Sequence, residues 1–196
     1  MEIKARIALT GHPGVGKTTL IQRVLERVSL RAGGMLTQEI RKCGHRVGFS
    51  VVDVGTGTEG ILAHLHQPSG PKLGRYRVNL EDLERIGIAA IRRALELEDC
   101  RLVVIDEIAP MELESPAFLP AVEAALESEK SLLISTHAHV DHPLVHRVRQ
   151  ELELIRVKLS NRDELPERIL RELEGTAQLA TGESGPARWR EDPGRP

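Results

Sequence analysis

The sequence predicts an α/β fold: a sheet with a parallel core, helices on both of its faces and an inserted β-hairpin. Continuous apolar runs, such as those at 102–105 and 132–134, are typical of strands buried on both faces. These runs alternate with segments of helical periodicity, which is how a parallel sheet acquires helices on both faces. The charged segment 41–46, centred on one glycine, separates two strand-like segments and predicts the hairpin.

The hairpin belongs to the first part of the chain. Gly33 and Gly34 are predicted to end the first helix, because glycine often follows the last helical residue. We expect a strand over 3–10, a helix over 17–31, hairpin strands over 35–40 and 47–52, a loop over 55–60, a short strand over 61–65, a break over 67–71 and an edge strand over 75–78.

The second part of the chain continues the alternation and ends in a tail. After Gly175 the composition changes to glycine, proline, serine and charged residues, which predicts a domain over 1–174 and a disordered tail over 175–196 that includes Trp189. We expect a helix over 80–98 with Asn79 as its N-cap, strands over 102–105, 132–134 and 154–157, a helix from Ser115-Pro116 to 127, a helix from Pro143 and a helix over 162–173.

A glycine-rich segment between the first strand and the first helix has the phosphate-loop pattern G-x-x-x-x-G-K-[ST]. Its glycines allow backbone N–H groups to turn inward around an anion, and the following helix adds its positive end. This pattern predicts that the protein binds a nucleoside triphosphate. The predicted nucleotide-binding residues are Gly11, His12, Pro13, Gly14, Val15, Gly16, Lys17, Thr18 and Thr19.

The apolar run at 102–105 is followed by two acidic residues, Asp106 and Glu107. A carboxylate at the end of such a strand holds Mg²⁺ in phosphate-loop enzymes, so Thr18 and Asp106 are the predicted metal ligands. Glu107 is positioned to deprotonate a water that attacks the γ-phosphate, and Lys17 is predicted to stabilise the phosphates. We therefore favour hydrolysis, with Glu107 and Lys17 as the catalytic residues and Mg²⁺ as the cofactor.

Composition limits the classes of partner. Lys+Arg 27 against Asp+Glu 29, with 2% aromatic residues, does not indicate nucleic-acid binding. The chain contains neither a signal-peptide pattern nor a run of ~18 apolar residues, and Cys43 and Cys100 form no paired motif. We expect a cytoplasmic protein without membrane contact that is a monomer, although the sequence leaves self-association open. The segment 161–164 lacks the N-K-x-D pattern of guanine-specific proteins, which predicts loose base selectivity.

A histidine-rich segment, 137–142, has the H-x-H-x-D-H pattern of metallo-β-lactamase-type hydrolases. Three imidazoles and a carboxylate are sufficient to hold zinc. That fold needs further ligands downstream, whereas His146 is the last histidine of the chain. Three interpretations stay open: a loop without chemistry, a sensor of the γ-phosphate formed by Thr136 or His137, and a metal site.

Several runs together resemble one family. The chain resembles the small P-loop nucleoside-triphosphatase family that was first described in thermophiles. The resemblance covers about residues 1–172, and its most specific parts are the Glu-Ile-Arg strand and the Asp-Glu-Ile-x-x-Met-Glu-Leu run. The matching segments are 10–20, 37–41, 47–52, 55–62, 74–78, 104–108, 111–113, 142–145 and 161–162.

The resemblance implies a RecA-like core and slow, Mg²⁺-dependent hydrolysis of ATP, GTP, CTP or UTP to the diphosphate and phosphate. The chain departs from the family at Ala109-Pro110, where Gly-Lys is usual, and at Glu59, where an arginine is found. Both departures remove a cation from the neighbourhood of the γ-phosphate. The residues considered as replacements are Arg41, Arg46, Lys72 and Arg75.

Two other functions stay open. A nucleoside or small-molecule kinase would close an arginine-rich lid over the phosphates. The nearest arginine cluster is Arg75, Arg77, Arg92 and Arg93. A nucleotide-gated binding switch, which hydrolyses too slowly to act as an enzyme, is favoured slightly by the missing cations.

Overall fold

The computed structural model describes residues 4–181, with side chains as far as residue 175, and the strands of this part of the chain form a nine-stranded sheet. Its spatial order is β5-β6-β4-β3-β2-β7-β8-β1-β9. The strands are β1 (Arg6–Gly11), β2 (Ala32–Lys42), β3 (His45–Asp53), β4 (Glu59–His64), β5 (Lys72–Leu73), β6 (Tyr76–Val78), β7 (Leu102–Ile108), β8 (Ser131–His137) and β9 (Glu153–Arg156).

The sheet has a parallel half and an antiparallel half that share β2. Strands β2, β7, β8, β1 and β9 pair in parallel, whereas β2, β3, β4, β6 and β5 pair antiparallel. Residues Ala32 to Met35 of β2 pair with β7, and Met35 to Lys42 pair with β3. The predicted α/β fold with a parallel core and an inserted hairpin is therefore confirmed.

Helices cover both faces of the sheet. The helices are α1 (Lys17–Leu25), α2 (Leu80–Asp82), α3 (Ala89–Glu96), α4 (Phe118–Glu127), α5 (Pro143–Glu151) and α6 (Leu165–Thr181), with a π-helical segment (Leu83–Ile88) between α2 and α3 and a 3₁₀ turn (Glu112–Glu114) after β7. Helices α1 and α6 pack on one face, and α3, α4 and α5 on the other. Successive residues of β1 alternate between the two cores, Ile7 and Leu9 on one side and Ala8 on the other, as the period of a strand requires.

The double glycine lies inside β2 and does not end α1, which stops at Leu25. A Cβ on Gly34 would lie 2.0 Å from the carbonyl oxygen of Val104, and one on Gly33 would lie 2.8 Å from the Cβ of Ala94. The glycines therefore allow β2 to lie close to β7 and α3. The first helix is thus confirmed from Lys17, but its predicted end at residue 31 was wrong. Glycine is selected both where a helix ends and where strands pack closely, and the sequence alone does not distinguish the two.

Other boundaries also differ from the predictions. The helix predicted over 80–98 contains the π-helical segment, in which a Cβ on Gly87 would lie 2.8 Å from Val51 Cγ2. The strand β5 and the 3₁₀ turn were not predicted, and α6 begins at Leu165 and continues to Thr181. Residues 182–196, which hold most of the predicted tail and Trp189, lie outside the described residues. Among the residues that are described, no helix has the length and apolar character needed to cross a bilayer.

Candidate active site

The phosphate-loop segment connects β1 to α1 in the way that the pattern predicts. The backbone of Gly14 has φ 75° and that of Gly16 has φ 105°, conformations that residues with a Cβ rarely adopt. A Cβ on Gly11 would lie 2.8 Å from the carbonyl oxygen of Val157, so this glycine lets the loop pass close to the end of β9. The loop leads into the N-terminus of α1 at Lys17, where unpaired N–H groups favour an anion.

The parallel strands place the predicted metal ligands together. The carboxyl ends of β1, β8 and β7 lie side by side, so the phosphate-loop segment and Asp106 share one edge of the sheet. The Thr18 hydroxyl donates a hydrogen bond to Asp106 Oδ2 at 2.8 Å. Two oxygen donors that suit Mg²⁺ thus lie in contact at this edge.

Asp106 is fully buried and has a second partner that the sequence did not reveal. The Ser135 hydroxyl donates to Asp106 Oδ1 at 2.5 Å. The β7–β8 register shifts between Ile105 and Ile108, so Asp106 and Glu107 lie opposite Ser135. Burial raises the pKa of Asp106 to about 6, although the hydrogen bonds from Ser135 and Thr18 favour its charged form.

Lys17 and Glu107 form an ion pair beside these ligands. The Lys17 Nζ lies 3.0 Å from Glu107 Oε1, and the Lys17 side chain is only 6% exposed. Glu107 Oε1 has no hydrogen-bond partner of good geometry, so charge holds the pair together. Lys17 Nζ also donates to the Gly11 carbonyl at 3.3 Å, which keeps the amine inside the loop.

A cavity of about 810 Å³ begins at the loop and extends to the antiparallel half of the sheet. Of the four cations considered as replacements, Arg41 and Arg46 line this cavity. Both pair with Glu39, Arg41 through Nη2 at 2.7 Å and Arg46 through Nη1 at 2.7 Å. The cavity thus has two arginines on its hairpin side, and one carboxylate binds both.

The other arginines and the departures from the family lie elsewhere. Ala109 and Pro110 line the cavity, whereas Glu59 is exposed at the start of β4. Among the described lining residues, neither Lys72 nor any member of the arginine cluster is found. In that cluster Arg93 pairs with Asp53, Arg77 donates to the Gly70 carbonyl and Arg75 donates to Tyr76 and to the Arg46 carbonyl.

Glu112 is a buried acid that the sequence did not single out for a role. Glu112 is 3% exposed and lines the cavity, and its Oε2 atom has no hydrogen-bond partner. Burial raises its pKa well above the ordinary value, and the negative charges of Glu107 and Asp106 raise it further. The residue is part of the Met-Glu-Leu run, but spacing alone does not reveal that a 3₁₀ turn directs it inward.

The histidine-rich segment does not converge on one point. His137 lines the cavity, while the Thr136 hydroxyl donates to the Leu9 carbonyl at 3.4 Å. Asp141 contacts His146, with 2.7 Å between Oδ1 and Nε2. In the part of the chain that the structure describes, no group of three or more histidine, cysteine or acidic residues is arranged to hold a metal. Burial and the charge of Lys17 lower the pKa of His137, which favours its neutral form.

Arg162 contacts the phosphate-loop segment and was not predicted to do so. Its Cδ lies 3.7 Å from the position of a Cβ on Gly16, and its Nη1 donates to the Val15 carbonyl at 3.4 Å. The sequence placed this residue at the start of the last helix, which begins three residues later at Leu165. Arg162 instead adds a cation beside Val15 and Gly16 of the loop.

Known proteins with a similar sequence share most of the length of this chain. A sequence model of a family described as NTPase matches residues 6–170. The chain is 53% identical over 168 residues to a protein from Methanosarcina acetivorans named nucleoside-triphosphatase THEP1, which covers 84% of this chain and 94% of that protein. A protein of the same name from Thermofilum pendens is 45% identical over 171 residues, with 84% and 93% covered.

Two solved structures have a fold similar to that of this chain. The crystal structure of THEP1 from Aquifex aeolicus matches with a TM-score of 0.76 and 34% identity, over 86% of this chain and 99% of that one. The solution structure of a human cancer-related nucleoside triphosphatase matches with a TM-score of 0.71 and 31% identity, over 90% of this chain and 98% of that one.

Proposed function

This chain belongs to the NTPase family and is a nucleoside-triphosphatase; from that premise we propose that it cleaves the bond between the β- and γ-phosphates with Mg²⁺, releasing the diphosphate and inorganic phosphate. One observation carries the proposal. The Thr18–Asp106 hydrogen bond and the Lys17–Glu107 ion pair lie at one edge of the sheet, beside the phosphate-loop segment. Metal ligands, a phosphate-binding cation and a base for water are thus neighbours.

The phosphate-loop segment binds the triphosphate in this proposal. Its backbone N–H groups and the N-terminus of α1 hold the phosphate oxygens, and Lys17 neutralises charge on the β- and γ-phosphates. Because Lys17 already lies inside the loop against the Gly11 carbonyl, it needs little rearrangement to meet them. These contacts are made to the phosphates and not to the nucleobase, so the loop binds nucleotides with different bases equally well.

The Thr18 hydroxyl and the Asp106 carboxylate would hold Mg²⁺. This ion usually takes one or two protein oxygens together with phosphate oxygens and water, which fits the two donors found here. When bound, Mg²⁺ neutralises the charge that develops on the phosphates. Ser135 orients Asp106 from its other oxygen and favours the ionised form that a metal ligand needs.

Glu107 accepts a proton from the attacking water. A bound triphosphate competes with Glu107 for the charge of Lys17, so nucleotide binding weakens the ion pair and makes the carboxylate available as a base. His137, which lines the same cavity, is our candidate for sensing the γ-phosphate. Thr136 is less suited to that role, because its hydroxyl is bound to the backbone of β1.

We propose broad use of ATP, GTP, CTP and UTP, with slow turnover. Glu164 stands where a guanine-specific protein has aspartate, and Arg162 donates to the Val15 carbonyl on the loop. Slow turnover follows from the pairing of Arg41 and Arg46 with Glu39, because a cation held by a carboxylate contributes less to stabilising the transferred phosphoryl group.

We further propose that the enzyme acts as a monomer in a reducing, cytoplasmic compartment. Both cysteines are free, Cys43 exposed and Cys100 buried, which suits a compartment that keeps thiols reduced. Gel filtration at the enzyme concentrations used for the activity assay tests whether the enzyme is a monomer.

Phosphate release from ATP, GTP, CTP and UTP tests the function, with Mg²⁺ and then with EDTA. We expect comparable release from all four nucleotides with Mg²⁺, and loss of release when EDTA removes the metal. Release from one nucleotide alone would overturn the broad specificity. Release that survives EDTA would overturn the metal dependence, and tight binding without release under any condition would overturn hydrolysis itself.

A further inference from the structure

The cavity extends beyond the phosphate-loop segment to a second region, on the antiparallel half of the sheet. We call this region the hairpin subsite and define it by Phe49, Leu62, Leu73, Tyr76 and Glu112, all of which line the cavity. Four of the five are large apolar or aromatic side chains from β3, β4, β5 and β6. Phosphates make no use of such a surface, whereas a ring would bury apolar area on it.

The aromatic residues of this chain are concentrated at the hairpin subsite. The sequence has two phenylalanines, one tyrosine and one tryptophan. Phe118 is fully buried in the core, and Trp189 lies outside the described residues. The remaining two, Phe49 and Tyr76, lie edge to face with their ring centroids 5.4 Å apart. A protein with an almost entirely aliphatic core thus places both of these rings at its cavity.

Arginines hold the two rings in place. The Arg46 guanidinium lies 5.0 Å from the centroid of Phe49, and its Nε donates to the Tyr76 hydroxyl at 3.2 Å. Arg75 lies 5.1 Å from the centroid of Tyr76 and donates to the same hydroxyl from Nε at 3.1 Å. Because the arginines already fix the rings, little side-chain conformational freedom is lost when a ligand binds to them. Such a site is preorganised.

Glu112 supplies an independent indication of a ligand. Its carboxyl group is buried at the wall of the cavity, and its Oε2 atom has no hydrogen-bond partner. A buried polar atom without a hydrogen-bond partner lowers the free energy of unfolding, so its presence at the cavity needs an explanation. A polar hydrogen or acceptor on a ligand in the hairpin subsite would give this oxygen its partner.

We propose that the hairpin subsite binds an uncharged molecule with a planar ring and a hydroxyl group, and that the enzyme transfers the γ-phosphoryl group to that hydroxyl. This inference rests on the proposed function, because it uses the same triphosphate site and the same base. The ring packs against Phe49 and Tyr76, and the hydroxyl points towards Glu107. The apolar side chains of Phe49, Leu62 and Leu73 favour an uncharged ligand, because a charged group would lose hydration against them.

The transfer step replaces water by the hydroxyl group of the ligand. The hydroxyl oxygen forms a bond to the γ-phosphorus, and the bond from that phosphorus to the β–γ bridging oxygen breaks. The nucleoside diphosphate leaves with the bridging electrons, and Glu107 accepts the hydroxyl proton and then releases it to solvent. Hydrolysis is the same step with water in place of the hydroxyl group of the ligand.

The test measures two products from one reaction. The full chain is incubated with Mg²⁺ and γ-labelled ATP in the presence of two sets of probes, the ribonucleosides adenosine, guanosine, cytidine and uridine and the pyridinemethanols. Label in inorganic phosphate reports hydrolysis, and label in a phosphate ester reports transfer. We expect ester from at least one set, and the set that gives it distinguishes a ring carried on ribose from a single ring with a hydroxymethyl arm.

Matched variants connect the ester to the hairpin subsite. Phe49→Leu removes the cavity ring, and Phe118→Leu makes the same chemical change in the core. We expect the ratio of ester to phosphate to fall about fivefold in Phe49→Leu and to stay at the wild-type value in Phe118→Leu. The ratio does not depend on how much of each variant folds.

Two results would overturn the inference while leaving the hydrolase intact. The first is phosphate release without ester from either set of probes. The second is an ester-to-phosphate ratio that both phenylalanine variants change equally. Absence of phosphate release when no probe is present would overturn the proposed hydrolysis instead, so the two failures are distinguishable.

Discussion

The two ends of the cavity differ in how completely their polar groups are satisfied. At the phosphate end, both oxygens of the buried Asp106 accept hydrogen bonds. Glu107 Oε1 accepts none, but it lies 3.0 Å from the charged amine of Lys17. At the hairpin end, Glu112 retains a buried oxygen without a partner beside two fixed aromatic rings. The buried acids of the phosphate end thus have hydrogen-bond or ion-pair partners within the protein, whereas Glu112 Oε2 at the hairpin end would gain its partner from a ligand.

Lys17→Ala should show the largest effect, because it removes the cation on which the phosphate end depends. We expect turnover to fall about 10³-fold as phosphate charge loses its partner. Arg23→Ala is the matched control, since this exposed residue of the same helix pairs with Asp163 outside the cavity. Phosphate release at saturating ATP measures both. Retained turnover in Lys17→Ala would move the reaction away from the phosphate-loop segment.

Glu107→Gln separates catalysis from binding within the phosphate end. Glutamine keeps the size of the side chain but is not a base, so we expect turnover to fall about 10²-fold while nucleotide binding stays intact. The control is Glu114→Gln, an exposed acid in the 3₁₀ turn after the same strand. Single-turnover kinetics and equilibrium binding measure the two quantities. An unchanged rate would leave the attacking water without its base.

Ser135→Ala tests how much the hydrogen bond from Ser135 to Asp106 contributes to Mg²⁺ binding. Loss of the hydroxyl leaves Asp106 Oδ1 without its donor, and we expect the Mg²⁺ concentration for half-maximal activity to rise about tenfold. Ser131→Ala removes a buried serine from the other end of β8 and should leave the Mg²⁺ requirement unchanged. If both variants and the wild type required the same Mg²⁺ concentration for half-maximal activity, the Ser135–Asp106 hydrogen bond would have no role in metal binding.

Glu112→Gln should give the smallest effect and concerns stability. The pKa of Glu112 is raised in the folded state, so the wild type is stabilised below the unfolded pKa of about 4.3 and loses that contribution as pH rises through the folded pKa. Asp106 and Glu107, the charged groups near it, are present in both proteins. We therefore expect the Tm of the variant relative to wild type to increase with pH.

Thermal unfolding at a series of pH values from about 4 upward measures this difference. For a chain of this size ~1 kcal/mol corresponds to about 2–4 °C in Tm, which is readily resolved. A difference between variant and wild type that is independent of pH would contradict the raised pKa and weaken the contrast between the two ends of the cavity.

The phosphate end was accessible from the sequence because its geometry follows from general rules. Parallel strands place their carboxyl ends at one edge, so an acid after a buried strand and a glycine-rich segment after another had to meet. The Thr18–Asp106 hydrogen bond and the position of Glu107 beside Lys17 agree with that reasoning. The roles of these residues stay predictions until the variants are measured.

The remaining contacts depend on register and on packing between distant segments. Ser135 contacts Asp106 because the β7–β8 register shifts there, and no local sequence pattern predicts that shift. Glu112 becomes buried because a 3₁₀ turn directs it inward, and Arg162 reaches the Gly16 backbone from a loop 146 positions later in the chain. The double glycine was interpreted as a helix end because the close neighbours Val104 and Ala94 are far away in sequence.

The strand β2 belongs to both halves of the sheet, so one continuous strand links the half that carries the phosphate-loop segment to the half that carries the hairpin subsite. Met35 pairs with Ile105 of β7 on one side and with Asp53 of β3 on the other. Beyond Met35 the same strand lines the cavity with Thr37, Gln38 and Glu39. An insertion or deletion in β2 would therefore shift the register of β3 relative to β7, whereas a substitution in the cavity wall would leave that register unchanged.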